Sequence, residues 1–334
     1  MRHIVKLFKN IKIINVQRYC TSLEPVKTTN ELTKKPDILE ETTDRELIPS
    51  EDFPTYLPPT FNFAAYVNKS ETLRKFVELG VDLSKIESKK GLPEFILKLD
   101  FNRHVKRHLM FLHDLGIEPE KYGEFLTKNP LFFKNEIDEL ETRVYYLRSK
   151  KFTLEQVQEI VTKDPFWLNF STKRIDRRLG FFQKNFSLTG NEVRYLATKY
   201  PKVITSHLMH VRELNFCVRE EMGFDGNETK SLLLAIPKIF MMNRDHVIER
   251  FSYMFNVMNF SKEKILQYPQ IFATRLSRMK NRHQFLKLLG RDQFNEKLPK
   301  YVSPEAFYSG TDEEFVTNVC DSTMETYDNF LKTL

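Results

Sequence analysis

Ten glycines in 334 residues are too few for a chain built on β-turns, which draw on glycine wherever φ must be positive. The three cysteines, Cys20, Cys217 and Cys320, lie far apart and form no Cys-x-x-Cys pair. That spacing argues against a disulfide framework and against a zinc site, and suits a reducing compartment. No run of about 18 apolar residues exists, so no segment is a candidate membrane span. A phosphate-binding glycine loop, a nucleophile elbow and a zincin motif are all missing, which leaves an enzyme without its usual parts. His104, His108 and His113 have roughly helical spacing, but no cysteine or acid cluster completes a metal site. The expectation is therefore no cofactor and no metal, with His104 and His108 assigned to a basic face.

What is present is a period. A proline precedes bulky apolar residues in Pro93-Glu94-Phe95-Ile96, Pro130-Leu131-Phe132-Phe133 and Pro165-Phe166-Trp167-Leu168. The pattern continues in Pro201-Lys202-Val203-Ile204, Pro237-Lys238-Ile239-Phe240 and Pro269-Gln270-Ile271-Phe272. Successive prolines are 37, 35, 36, 36 and 32 residues apart. Intervals of that size mark stacked supersecondary repeats, numbered here first to sixth by their prolines. A weaker echo, Pro299-Lys300-Tyr301-Val302, is a candidate cap.

With the proline as zero, positions +10, +14 and +17 are mostly apolar, as in Leu140, Val144, Leu147 and in Ile175, Leu179, Phe182. That spacing is one face of an α-helix. Position +16 is also bulky (Tyr146, Phe181, Tyr253, Phe285), and pairs such as Phe125-Leu126 and Ile160-Val161 place a shorter helix before each proline. Proline lacks an N–H and biases its predecessor away from helix, so it marks the turn between the two helices. No repeat can cover its own apolar face, so the repeats must stack; the fold class is an all-α solenoid.

Charge is distributed unevenly around a net +7. Residues 1–20 hold five cations and no acid, with Ile4, Leu7, Phe8, Ile11 and Ile14 at helical spacing. Such a leader is expected to be a mitochondrial transit peptide. Residues 21–60, with nine acids and six prolines, are expected to be a disordered acidic linker. The array, 61–302, carries 42 basic and 29 acidic residues, the footprint of a polyanion binder. Residues 303–334 carry seven acids against Lys332 alone, and are expected to be an acidic cap or tail that screens the array.

The proline ruler also aligns the cations. Position +13 is Lys106 in the first repeat, then Arg143, Arg178, Leu214, Arg250 and Arg282. Position +9, one turn earlier on the same stripe, is Glu139, Arg174, His210, His246 and Arg278 in the second to sixth repeats. The stripe lies beside the buried +17 position. Stacking would line these side chains up as a continuous band that holds a phosphate backbone, arginine being suited to phosphate by its planar fork. Leu214 interrupts the band, and Arg212 is the candidate substitute there. The opposite face mixes six acids with four cations, so the excess belongs to the stripe. The alternative for any single arginine is a bridge to a neighbouring repeat or, for Arg143, to Glu139.

Several strings carry a family resemblance. They are Leu79-Gly80-Val81-Asp82-Leu83-Ser84-Lys85-Ile86-Glu87, Asn169-Phe170-Ser171, and the stretch Arg177-Arg178-Leu179-Gly180-Phe181-Phe182-Gln183-Lys184, with the terminal Phe330-Leu331-Lys332-Thr333-Leu334. With the proline period and the basic leader, these resemble the mitochondrial transcription termination factor (mTERF) family from about residue 70 to the end. The resemblance implies a superhelical half-ring of two-helix repeats, each closed by a short 3₁₀ turn, with a basic concave groove. It implies a monomeric mitochondrial matrix protein whose partners are mitochondrial DNA, mitochondrial ribosomal RNA, or both. Promoter-linked control of transcription and assembly of the large ribosomal subunit with its assembly factors are the implied roles. The competing readings are an assembly factor that binds ribosomal RNA only, and a protein-interaction solenoid of the tetratricopeptide type. The latter lacks its Trp-x-x-Leu-Gly-x-x-Tyr pattern here. The groove contacts expected are Lys106, Arg143, Arg174, Arg178, Arg212, Arg250, Arg278 and Arg282.

Overall fold

A computed structural model describes residues 62–334. The expected leader (1–20) and linker (21–60) lie outside the described residues. Within these residues the chain is all-α, with no strand, and no helix is long and apolar enough to cross a membrane. The described residues form two compact bodies, one ending at Ile137 and one spanning Asp138–Leu334.

The first body packs Glu71–Glu78, Lys106–Asp114 and Tyr122–Lys128 around Phe76, Leu112, Phe125 and Phe132, all nearly devoid of exposure. Gly123 lets one helix meet the Leu79–Gly80 turn, since a Cβ there would lie 2.4 Å from the Leu79 carbonyl oxygen. Pro93 departs from the pattern. It sits in the first turn of the helix Leu92–Leu97, where its missing N–H costs nothing, and closes no 3₁₀ turn. His108 also corrects its expectation. It is buried, its ring nitrogens 2.7 Å from the His104 carbonyl and 2.8 Å from that of Asn135, so it belongs to no exposed basic face.

In the second body each repeat runs short helix, proline turn, long helix. Three short helices, Leu154–Lys163, Gly190–Lys199 and Gly226–Ala235, each ten residues long, open with the same device. Thr153, Thr189 and Asp225 cap them and pair with Gln156, Glu192 and Glu228 in capping boxes. The fourth short helix, Lys262–Gln267, has six residues and starts from Ser261. The four residues it lacks are about one helical turn, which explains the shortened 32-residue interval without a change of phase.

The turns Pro165–Asn169, Pro237–Met241 and Pro269–Ala273 are 3₁₀ helices; Pro201–Thr205 is instead a single α-turn. The apolar pairs after these prolines plug the core: Trp167, Leu168, Val203, Ile204, Ile239, Phe240, Ile271 and Phe272 are all at most 1% exposed. The long helices are Ile137–Ser149, Thr172–Asn185, Leu208–Phe216, Arg244–Ser252 and Leu276–Leu288. The third and fourth of these run on into π-helical turns, Cys217–Glu221 and Tyr253–Val257. Successive long helices pack with a constant offset, +11 of one repeat lying on +16 of the one before. The Tyr146 hydroxyl donates to Asp176 (2.6 Å), Arg212 lies over Phe181 (5.2 Å) and Lys280 over Tyr253 (5.7 Å).

Pro299 is not the next turn. It falls in an irregular stretch between Leu288 and Pro304, and the 3₁₀ turn that continues the array is Pro304–Phe307. The segment Asp312–Glu314 follows, extended by the π turn Phe315–Val319, and Met324–Leu331 ends the chain. Phe307, Phe315 and Tyr327 are buried, with Phe307 against Phe260 and Tyr327 against Phe285, so residues 303–334 are structure packed on the array. The thiols of Cys217 and Cys320 are buried too, and burial pushes both up to about 11, out of the reactive range.

One buried histidine gives the second body a pH dependence. The Tyr253 hydroxyl lies 2.8 Å from His283 Nδ1, and burial lowers the His283 pKa from its usual 6.5, with Lys287 assisting and Asp292 opposing. Burial also pushes Tyr253 up to about 12, so the phenol keeps its proton in this hydrogen bond. A depressed histidine pKa favours the folded state fully above the unfolded value. That contribution is lost as pH falls through 6.5 toward the folded value. The urea midpoint is expected to fall between about pH 7.5 and 5.5, and His283→Gln to flatten the difference. Equal slopes in the two proteins would reject this assignment.

Candidate nucleic-acid interface

Three of the four +13 arginines occupy the junctions between repeats. A 3₁₀ turn ends with carbonyls that no helical N–H reaches, and a buried carbonyl must find a donor. Arg143 supplies one to the Leu168 carbonyl of the next repeat's turn, and its other arm pairs with Glu139 at 2.7 Å. Arg178, 8% exposed, donates to the carbonyls of Ile204 (2.6 Å) and Ser206 (2.5 Å). Arg282 is wholly buried. It donates to the carbonyls of Ala306 (2.5 Å), Ser309 (2.9 Å) and Thr311 (2.8 Å) and to Asp312 Oδ1 (2.6 Å). Each of these arginines staples its own long helix to the turn that follows. Burial lowers the pKa of all three, with Glu139 opposing at Arg143 and Asp312 at Arg282.

The same rule explains Leu214. In the fourth repeat the staple moves one turn back along the stripe, where His210 Nε2 lies 2.7 Å from the Met242 carbonyl. Arg212, the expected substitute, stands about 200° around the helix from His210 and packs on Phe181 of the preceding repeat. It is exposed and off the stripe. The structure thus corrects the picture of one continuous exposed band: at +13 the guanidiniums of Arg143, Arg178 and Arg282 point into junctions.

Arg278 is also engaged. It donates to the Gly310 carbonyl and pairs with Asp312 at 3.3 Å, so the acidic C-terminal segment takes both stripe cations of the sixth repeat, Arg278 and Arg282. Lys106, in the first body, is half-buried and makes no ion pair among the described residues. Arg174 differs from the staples. It is exposed, its guanidinium carbon 4.1 Å from the centre of the Phe170 ring, and among the described residues no carboxylate or carbonyl holds its donors. Arg178 lies over the same ring at 5.1 Å. Two guanidiniums therefore share one phenyl ring with no acid between them, and after burial it is repulsion from Arg174 that lowers the Arg178 pKa.

Phe170 was not foreseen as part of the site. It sits in extended backbone just before the N-cap Ser171, outside the helix Thr172–Asn185, so helical spacing carried no signal for it. Asp312 as a partner of two cations across more than thirty residues had no local signal at all.

Comparison with known proteins bears on the whole chain. The mTERF family model matches residues 28–316. Transcription termination factor 3, mitochondrial, of Drosophila melanogaster is 48% identical over 275 residues, which is 82% of this chain and 78% of that protein. The protein of the same name from Mus musculus is 38% identical over 275 residues, 82% of this chain and 67% of its own length. A more distant relative, Transcription termination factor 1, mitochondrial, of Homo sapiens, is 21% identical over 211 residues, 60% of this chain and 53% of its own.

Proposed function

The chain belongs to the mTERF family, and from that premise we propose that it is a mitochondrial nucleic-acid-binding regulator of transcription that acts without an enzymatic step. Its partner in this proposal is mitochondrial DNA in the matrix, bound near promoters, and a contribution to building the large ribosomal subunit belongs to the same reading. The names of the relatives support the transcription role and the compartment. The observation that carries nucleic-acid binding is exposed Arg174, stacked on Phe170 beside the buried charge of Arg178, a local excess of positive charge. Fixed guanidiniums without acids are suited to phosphate oxygens. Phosphate contacts position a nucleic acid without reading its sequence, so the proposal concerns affinity and its salt dependence.

The test uses the full chain with a short labelled DNA duplex and a ribosomal RNA stem-loop, titrated between about 50 and 200 mM salt. Wild-type affinity is expected to fall steeply with salt. Arg174→Ala is expected to make the log–log slope shallower by about 1, while Arg212→Ala, on the opposite flank, leaves it unchanged. Affinity indifferent to salt, on both probes, would sink the proposal. Salt-dependent binding confined to the RNA would replace the promoter role by the ribosomal one.

A further inference from the structure

The fifth repeat breaks the stapling rule. By its position Arg250 corresponds to Arg143, Arg178 and Arg282, so its guanidinium belongs on the turn Pro269–Ala273. It does not reach it. Arg250 turns back toward its own repeat, where Nη1 lies 3.6 Å from the Met242 sulfur, a weak acceptor. Its Nε is buried and meets no acceptor among the described residues. Arg291, whose Nε is likewise unmatched, has its charge neutralised by Asp321 at 2.6 Å; Arg250 has no ion pair. Glu249, the next residue, is the one acid that raises its pKa, and burial outweighs it.

The surroundings are suited to an anion. His246, one turn earlier on the same stripe, is exposed, and its imidazole is bonded to nothing described. His210 arrives from the fourth repeat on the other side of Met242, its Nε2 fixed on the Met242 carbonyl and its Nδ1 3.8 Å from Glu213. Arg250 and His210 thus converge on one residue, one held through sulfur and one through oxygen. A half-buried guanidinium with one buried donor unmatched and another on a weak sulfur acceptor is costly unless water or a ligand completes it. From this departure within one chain we infer that Arg250, with His246 beside it, is a phosphodiester subsite, the position where the array exchanges a structural staple for a ligand contact. This rests on the proposed nucleic-acid binding and narrows it to the fifth repeat.

The variant that separates the two roles is Arg250→Met in the full chain, compared with Arg178→Met and Arg174→Ala. Binding of the labelled duplex and the RNA stem-loop is read beside the thermal midpoint. If the subsite exists, Arg250→Met weakens binding roughly tenfold and makes the salt slope shallower by about 1, with its midpoint unchanged or raised. A fallen midpoint, with or without weaker binding, means that Arg250 is another staple and overturns the inference. So does unchanged binding while Arg174→Ala still weakens it; that result would leave the broader reading standing. If wild type itself shows no salt-dependent binding, the broader reading fails first. Inorganic phosphate at matched ionic strength is the remaining arm. Should it raise the wild-type midpoint through Arg250 while oligonucleotide binding ignores the substitution, the site holds a free anion and the inference also falls.

Discussion

Replacing Arg282 by methionine is expected to destabilise the C-terminal segment by about 3–5 kcal/mol, the usual result of removing one partner from a buried charge network. Arg282 is wholly buried and serves the carbonyls of Ala306, Ser309 and Thr311 together with Asp312. Its guanidinium also lies 4.6 Å from the centre of the Phe315 ring. Methionine fills much of the volume but donates nothing, so those carbonyls must either open to water or stay unpaired. Opening to water means unpacking residues 303–334 from the sixth repeat. Amide exchange and limited proteolysis should therefore show this segment released before the rest of the second body, and the urea curve should lose its single transition. A change under about 1 kcal/mol would mean that the carbonyls are solvated already. Because Asp312 also pairs with Arg278, the variant returns one cation to solvent. Any gain in nucleic-acid affinity then measures how far the acidic segment masks the sixth repeat.

The fold was legible because its determinants are local. A proline removes one donor and fixes one torsion, and it does so at the same point of the second to sixth repeats. Leu140, Ile175 and Val247 then recur ten residues on with nothing to override them. Even the short fifth interval is local: Ser261 caps its helix at the same distance after Pro237 as Thr189 and Asp225 do after Pro165 and Pro201, and the helix ends one turn sooner. The last repeat was misplaced for a similar reason. Pro299-Lys300-Tyr301-Val302 has the right letters, but Tyr301 is only half-buried, whereas Ala306 and Phe307 after Pro304 enter the core.

The site was less legible, because position along a stripe does not say which way a long side chain turns. Position +13 is three residues from +10 and four from +17, both core positions, so its Cβ starts at the edge of the packed face. From there a guanidinium can reach solvent or fold inward, and the choice depends on whether the next repeat offers bare carbonyls. Ile204 and Ser206 offer them to Arg178. The positions that accept them, Leu168, Ile204 and Ser206, are apolar or neutral residues whose side chains carry no hint of the role. His210 in place of an arginine at Leu214 shows that the repeat conserves the bond while changing the residue that makes it.

Arg174 and Arg178 separate the two roles within one helical turn. Arg178→Met is expected to lower the unfolding free energy by about 2–4 kcal/mol, the cost of two buried carbonyls left without a donor. Arg174→Ala, on the exposed side of the same phenyl ring, is expected to leave the urea midpoint within error and to change only nucleic-acid binding. Removing Arg174 also removes a like charge from beside a buried one, so a slight stabilisation is the direction to look for. The double variant tests whether the roles are independent. Adjacent residues that share a partner should couple, and here the shared partner is Phe170. If the repulsion between the two guanidiniums exceeds their joint attraction to the ring, Arg174→Ala will partly rescue any Arg178→Lys variant, whose smaller head still reaches one carbonyl. If stacking exceeds repulsion, the two losses will add. The sign of that coupling decides whether the pair is held ready by the ring or held under tension until a phosphate arrives. An increase in wild-type stability on adding duplex, absent in Arg174→Ala, would agree with tension; equal increases in both would exclude it.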